Sequence, residues 1–451
     1  MKSKSILLAM AALVLAGAPL TARAQGYPAD AAGNVLPLGI APEAATWEVS
    51  AASFANAACG DPSCTDPSCT GLAGDPSCTS GVADCLGRDR RCWDLWGGIE
   101  MLVWWTKGSN LPPLIGSNTD PAVPQNQASV ITSPSYITLF GDGISGQDAQ
   151  IGGRVTFGTW LDSTHNVGAG LRFFALEGAV DQFDVSSTGN PIVGRPFFNV
   201  QLLPAPGQED ALLVAYPGLV EGDAHGSYKN NLLGAEGFLR VMMQRSQLRR
   251  VDLIAGYQFM RLDDQLEVRS FHTVVDPASI INGFTFDVRD RFRSINQFHG
   301  GTLGLQGSMS RGNWSLNGLF KVGVGNNHQS VLVQGTTLVA LPPGPPVARN
   351  GGLLAMPSNG SGGPAFVRDR LCVIPEFTTS LNYHITPTVN LSVGYNLIWL
   401  SNVVVSGDQI DRRVNRSQIP GPVVGPNVPA FPFNDSTYWV QGINLGMNWN
   451  F

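Results

Sequence analysis

In a series of segments between Gly97 and Phe451, apolar and polar positions alternate with a period of two, and no helical period of useful length competes with it. The last stretch is the clearest. Trp439, Ile443, Leu445, Met447, Trp449 and Phe451 share one parity, with Gln441 the exception. After Tyr438 and Val440, the other parity carries Gly442, Asn444, Gly446, Asn448 and Asn450. Successive strand side chains point to opposite faces, so this stretch predicts a strand with one apolar face and one wet face. Aromatic residues at both margins of the apolar face match a strand that crosses an outer membrane, its wet face toward a lumen.

The same rule recurs along the chain. Ile99, Met101, Val103 and Trp105 oppose Gly98, Glu100, Leu102 and Trp104; Ile151, Val155, Phe157 and Leu161 oppose Gln150, Arg154, Thr156 and Trp160. Val167–Ala175, Leu233–Met243 and Val251–Phe259 continue it, with Arg172, Glu236, Arg240 and Asp252 on the wet parity. Phe298–Ser308 and Trp314–Val324 predict a hairpin about Ser310–Asn313, with Lys321 on its wet side. Leu371–His384, Val389–Leu400 and the terminal strand complete the series; Pro375 predicts a bulge or a strand start, because it cannot donate to a ladder. Counting weaker runs at 266–275 and 330–337, the pattern predicts an all-β transmembrane antiparallel barrel of about twelve strands, an even number as in single-chain outer-membrane barrels. Short polar turns alternate with long loops at 107–148, 177–231, 338–368 and 401–434, which are rich in Gly, Pro, Asn and Ser. Trp105, Trp399, Trp439, Trp449 and Phe451 are the expected aromatic girdle.

Composition changes the picture at the front of the chain. Residues 1–24 have a basic start, an apolar run from Ile6 to Gly17 and the small-residue motif Ala22-Arg23-Ala24, which predicts a secretory signal peptide. Its removal takes away three basic residues and no acid, so the net charge moves from −6 to −9, with 25 basic against 34 acidic residues left. Bulk electrostatics then argues against a nucleic-acid partner. No later run is long and apolar enough for a helical span, so the lipid bilayer of the outer membrane is to be met by a closed barrel.

Residues 25–95 form an Ala-rich and then Cys-rich appendage, expected to be stapled by disulfides or disordered. Cys59, Cys64, Cys69, Cys78, Cys85 and Cys92 are the disulfide candidates, three of them ending Asp-Pro-Ser-Cys repeats. An even set in an exported chain reads as disulfides, with fifteen pairings open. A metal site is the weaker alternative, since the segment has no Cys-x-x-Cys pair and no histidine. The appendage is a candidate contact for a cell-envelope partner. Cys372, left over, reads as a buried thiol.

The chemistry-bearing residues are few. Gly141–Gly146 matches G-x-G-x-x-G but runs into a strand where a dinucleotide site needs a helix. Hydrolase, metalloprotease and phosphate-loop motifs do not occur, so no enzyme activity and no cofactor are expected. Glu100, Arg154, Arg172, Glu236, Arg240, Asp252 and Lys321 all fall on the wet parity. They either line an aqueous channel and set ion preference, or pair across strands and fill a narrow lumen.

Several stretches carry a resemblance. Glu100–Gly108 (EMLVWWTKG) with Leu111-Pro112-Pro113-Leu114, Gly152–Thr156, Gly158–Asp162, Gly256–Leu262, Phe298–Gly301, Gly325–Gln329 and Gly407–Asp411 together resemble the Putative beta-barrel porin 7 family of planctomycete-type bacteria. The resemblance spans about residues 93–451 and implies an outer-membrane barrel; it implies no substrate and no catalytic set. The sequence thus predicts 96–451 as an outer-membrane β-barrel, a porin-like passive channel for small polar solutes or ions. The alternative is a structural or adhesive envelope anchor with a plugged barrel.

Overall fold

The computed structural model describes residues 94–178, 180–200, 207–418 and 423–450. The signal peptide, the appendage with its six cysteines, and Phe451 lie outside the described residues.

Ten strands form a ring: β1 (Leu95–Thr106), β2 (Gln150–Trp160), β3 (Val167–Leu176), β4 (Val220–Arg245), β5 (Arg249–Val274), β6 (Thr285–Arg311), β7 (Trp314–Ala340), β8 (Phe366–His384), β9 (Val389–Val403) and β10 (Ser436–Asn450). Each pairs antiparallel with its neighbours in sequence, and β10 pairs with β1 from Trp96↔Asn450 to Thr106↔Val440, which closes the ring. Closure leaves no unpaired edge at the level where all ten strands meet. Val180–Ser187 joins the rim on β4 and Val347–Asn350 on β7, giving a sheet of twelve strands.

The apolar parity faces outward as the alternation requires: Ile443, Leu445 and Met447 on β10 are each 40–44% exposed. The polar parity faces inward, where small residues make room for large ones. Gly170 receives the rings of Phe238 and Trp96, each 2.7 Å from where a Cβ would stand. Turns at 161–166, 246–248, 312–313 and 385–388 are short; the opposite end carries the long connections.

Two expectations change. The weak runs at 266–275 and 330–337 are not separate strands. They are the upper parts of β5 and β7, which with β4 and β6 run 26 or 27 residues, far beyond the roughly 9–11 that cross a membrane. The loop read at 177–231 contains strands at 180–187, 193–199 and 208–215 and the start of β4. Both were hidden by the same cause. Above the membrane, the apolar parity changes sides. On β5 the outer face carries Val251, Leu253, Tyr257 and Phe259 below the switch and the inner face Met260, Leu262, Leu266 and Val268 above it, with Ile254 (inner, below) and Phe271 (outer, above) as the exceptions. On β7 the switch falls between Val324 and Val331, and on β6 between Leu303 and Phe298. Below the switch, lipid is outside and polar groups are inside; above it, water is outside and a packed core is inside. Pro375 causes no register shift against β7; it stands where the β9 ladder ends, at Glu376↔Ile398, so its missing N–H leaves no gap there.

Candidate functional site

The lumen is built in layers. At the short-turn end is a polar cavity of about 550 Å³, lined among others by Asp94, Trp160, His165, Arg240, Ser308, Asn317, Asn382, His384, Asn390, Asn448 and Asn450. Its charged side is fixed by Asp252, which holds Arg250 at 2.8 Å and also binds Arg240. Both guanidinium groups lie against Trp160, at 4.9 Å (Arg240) and 4.5 Å (Arg250) from the ring. The other side carries neutral amides and hydroxyls.

The next layer closes it. Lys321 of β7 binds Glu236 of β4 and, at 3.0 Å, Glu376 of β8. Arg172 of β3 reaches the same two carboxylates at 3.5 and 3.6 Å. Arg154 of β2 forks onto Glu100 of β1, its cross-strand partner, with Nη2 at 3.0 Å from Oε1. Three carboxylates thus face three cations. Lys321 is 1% exposed, Glu376 3%, Arg154 5% and Glu236 6%. The space left among them is about 10 Å³, room for about one water. Charges buried in this way persist only when paired and hydrogen-bonded, and this set is balanced.

Directly above lies an apolar layer: Leu102, Trp104, Phe174, Leu232, Met260, Leu262, Phe298, Cys372, Ile374, Ile398 and Val440. Cys372 is a free thiol, buried here. Trp104 donates its indole N–H to Asn444 at 2.7 Å. Above that, wall residues hold loops that turn into the barrel. Asn296 clamps Val404 through its N–H (2.9 Å) and its carbonyl (2.7 Å). Asn327 and Gln329 donate to the Asn402 carbonyl at 2.8 and 2.6 Å. Asp264 accepts the Ser406 N–H at 2.7 Å. Asp290 accepts the N–H groups of Leu353, Leu354 and Ala355 and pairs with Arg195, which is fully buried. A second apolar core of Leu111, Phe140, Phe197, Phe292, Val331 and Leu354, among others, packs around these loops.

The seven inward charges therefore split. Glu100, Arg154, Arg172, Glu236 and Lys321 meet in one layer; Arg240 and Asp252 form a separate cluster at the short-turn rim. Sequence reasoning missed Glu376, which sits next to the distracting Pro375 yet has the inward parity of β8 and stands opposite Lys321 in register. It also misses Asp264, Asp290 and Asn296, three of the polar residues on the inward parity above the switch, because the pattern of two places their stretches in loops or weak strands. Of the girdle, Trp105, Trp399 and Trp439 lie at one level and Trp449 at the other end of β10.

A family model described as "Putative beta barrel porin-7" matches residues 96–451, which is the whole ring. The chain belongs to this porin family. No curated protein matches it in sequence. Among solved structures, the Escherichia coli outer membrane protease OmpT is similar over 80% of this chain and 99% of its own, at 10% identity and a TM-score of 0.33. A Pseudomonas aeruginosa FadL homologue is similar over 80% and 90%, at 8% identity and a TM-score of 0.24. An anion-selective porin from Comamonas acidovorans is similar over 80% and 99%, at 9% identity and a TM-score of 0.14. At these TM-scores the three carry no argument about this porin-family chain; its fold rests on its own strand pairing. The family and the lipid-facing belt imply the outer membrane as its location.

Proposed function

We propose that this porin-like barrel is plugged, and that it serves in the outer membrane as an envelope anchor carrying an extracellular cap. The observation that supports this is the filled mid-membrane layer: six paired charges with about 10 Å³ between them, overlaid by an apolar layer and by loops tied to the wall. Water-filled diffusion needs a continuous polar path, and the apolar layer interrupts it. The reading includes no covalent chemistry and no cofactor. Planar-bilayer recording of the purified full-length protein tests it. Silence at all voltages is the expected result; reproducible conductance steps from the unmodified protein overturn it.

A second reading, passive passage of small polar solutes or ions, draws support from the family and from the polar cavity of about 550 Å³ at the short-turn end. In that reading the plug must move. Shortening the 402–406 loop insertion then opens steps in the same recording, while a plugged anchor with its intact charge layer stays silent.

A further inference from the structure

We propose that the outer face of β5 and β6, just above the lipid belt, binds the phosphate headgroup of an anionic lipid. The inference rests on the outer-membrane location and on the level at which the apolar parity switches. On this face Tyr257 and Phe259 end the apolar row, and the Tyr257 hydroxyl meets His299 Nδ1 at 2.7 Å. Arg261 follows. A strand rises about 3.4 Å per residue, and barrel strands tilt by roughly 35–45°, so each residue gains roughly 2.5 Å along the membrane normal. Arg261 then stands about 5 Å beyond Phe259, within the headgroup layer of roughly 5–7 Å per side.

Arg293 of β6 leans down toward the same level. It binds Asp263 at 2.6 and 2.9 Å, while Arg261 reaches that carboxylate from below at 3.3 Å. Both guanidinium side chains are still 35% exposed. Arg291 and Arg289 lean the same way, toward Gln265 and Glu267 at 2.8 and 2.7 Å. Above Phe259 and His299, this face carries five arginines (261, 269, 289, 291, 293) and three carboxylates (263, 267, 287), an excess of two positive charges in a chain whose net charge is −6. Planar guanidinium groups favour phosphate oxygens, often bidentately. A headgroup is the fitting source of that phosphate, because its acyl chains continue down the apolar row that the arginines cap.

The test is native mass spectrometry of the full-length protein from micelles holding equal phosphatidylglycerol and phosphatidylcholine. The reading is the ratio of the two lipids retained. Wild type is expected to favour phosphatidylglycerol about fivefold or more, since each basic group near the surface is worth about that factor. R261Q/D263N/R293Q, which removes the triad without leaving a lone carboxylate, is expected to lose about fivefold; D263N, which keeps both arginines, is expected to gain a similar factor. If the triple variant fails to fold, as judged by heat-modifiable gel mobility, D263N and the fall of the wild-type ratio in 0.5 M salt still decide. A wild-type ratio near one, a D263N ratio no higher than wild type, or displacement of the lipid by millimolar inorganic phosphate overturns the assignment.

Discussion

Replacing Lys321 by Met takes away the closer of the two cations that face Glu236 and Glu376. Lys321 contacts both carboxylates and is 1% exposed. After the change, the two carboxylates keep Arg172 at 3.5 and 3.6 Å, and Glu236 keeps the Thr302 hydroxyl at 3.2 Å, but the layer holds three acids against two cations. Removing one partner of a buried pair costs about 3–5 kcal/mol, mostly because a charge is left buried without compensation. With a guanidinium slope of roughly 4 kcal/mol/M, the midpoint of unfolding falls by about 1 M. The assay is an equilibrium guanidinium titration in lipid vesicles, followed by tryptophan fluorescence; Trp104 lies buried beside the layer, 5.9 Å from the Arg154 guanidinium. The double variant E236Q/K321M restores the balance at two acids and two cations, so it should recover more than half of the loss. A K321M midpoint within about 0.2 M of wild type, or a double variant no more stable than K321M, would refute the argument that charge balance holds this layer together.

The level of the membrane surface can be tested on one strand: Phe320→Arg on the lipid face of β7 should cost about 2–4 kcal/mol in the same titration, whereas Ser330→Arg, on the same face above the switch, should stay within about 0.5 kcal/mol. Gly442→Ala should cost about 1–3 kcal/mol, because the new Cβ would stand 2.3 Å from the Val103 carbonyl and 2.5 Å from the Trp104 Cα, backbone atoms that cannot step aside. In the short turn at 161–166, the Thr164 hydroxyl and the N–H groups of Val167 and Asn166 bind Asp162 and hold its carboxyl down at about 2. Its folded value lies below the ordinary 3.8, so its support of the turn is present above about pH 4 and is lost as pH falls through about 2. A carboxyl carbon NMR titration with its midpoint at 3.8 or above would contradict that.

The period of two fixed much of this protein in advance. It set the strand class, the antiparallel order, the lipid-facing set from Ile99 to Met447, and the inward parity of all seven charges, because a strand has only two faces and lipid tolerates only one kind. It also made the resemblance of residues 93–451 to a porin family legible. Tertiary structure alone decided the rest. Parity says that Glu236 and Lys321 point inward, but only the closure of ten strands brings β4, β7 and β8 to one level and sets Glu376 between them. The upper halves of β5, β6 and β7 looked weak because their apolar residues had changed faces, and that change has meaning only once the lipid boundary is known. The loops at 353–356 and 402–406 have ordinary loop composition; what draws them inside is Asp264, Asp290 and Asn296 on the far wall, up to 142 residues away in the chain. Contacts of that range follow from the ring's geometry, which local pattern does not encode.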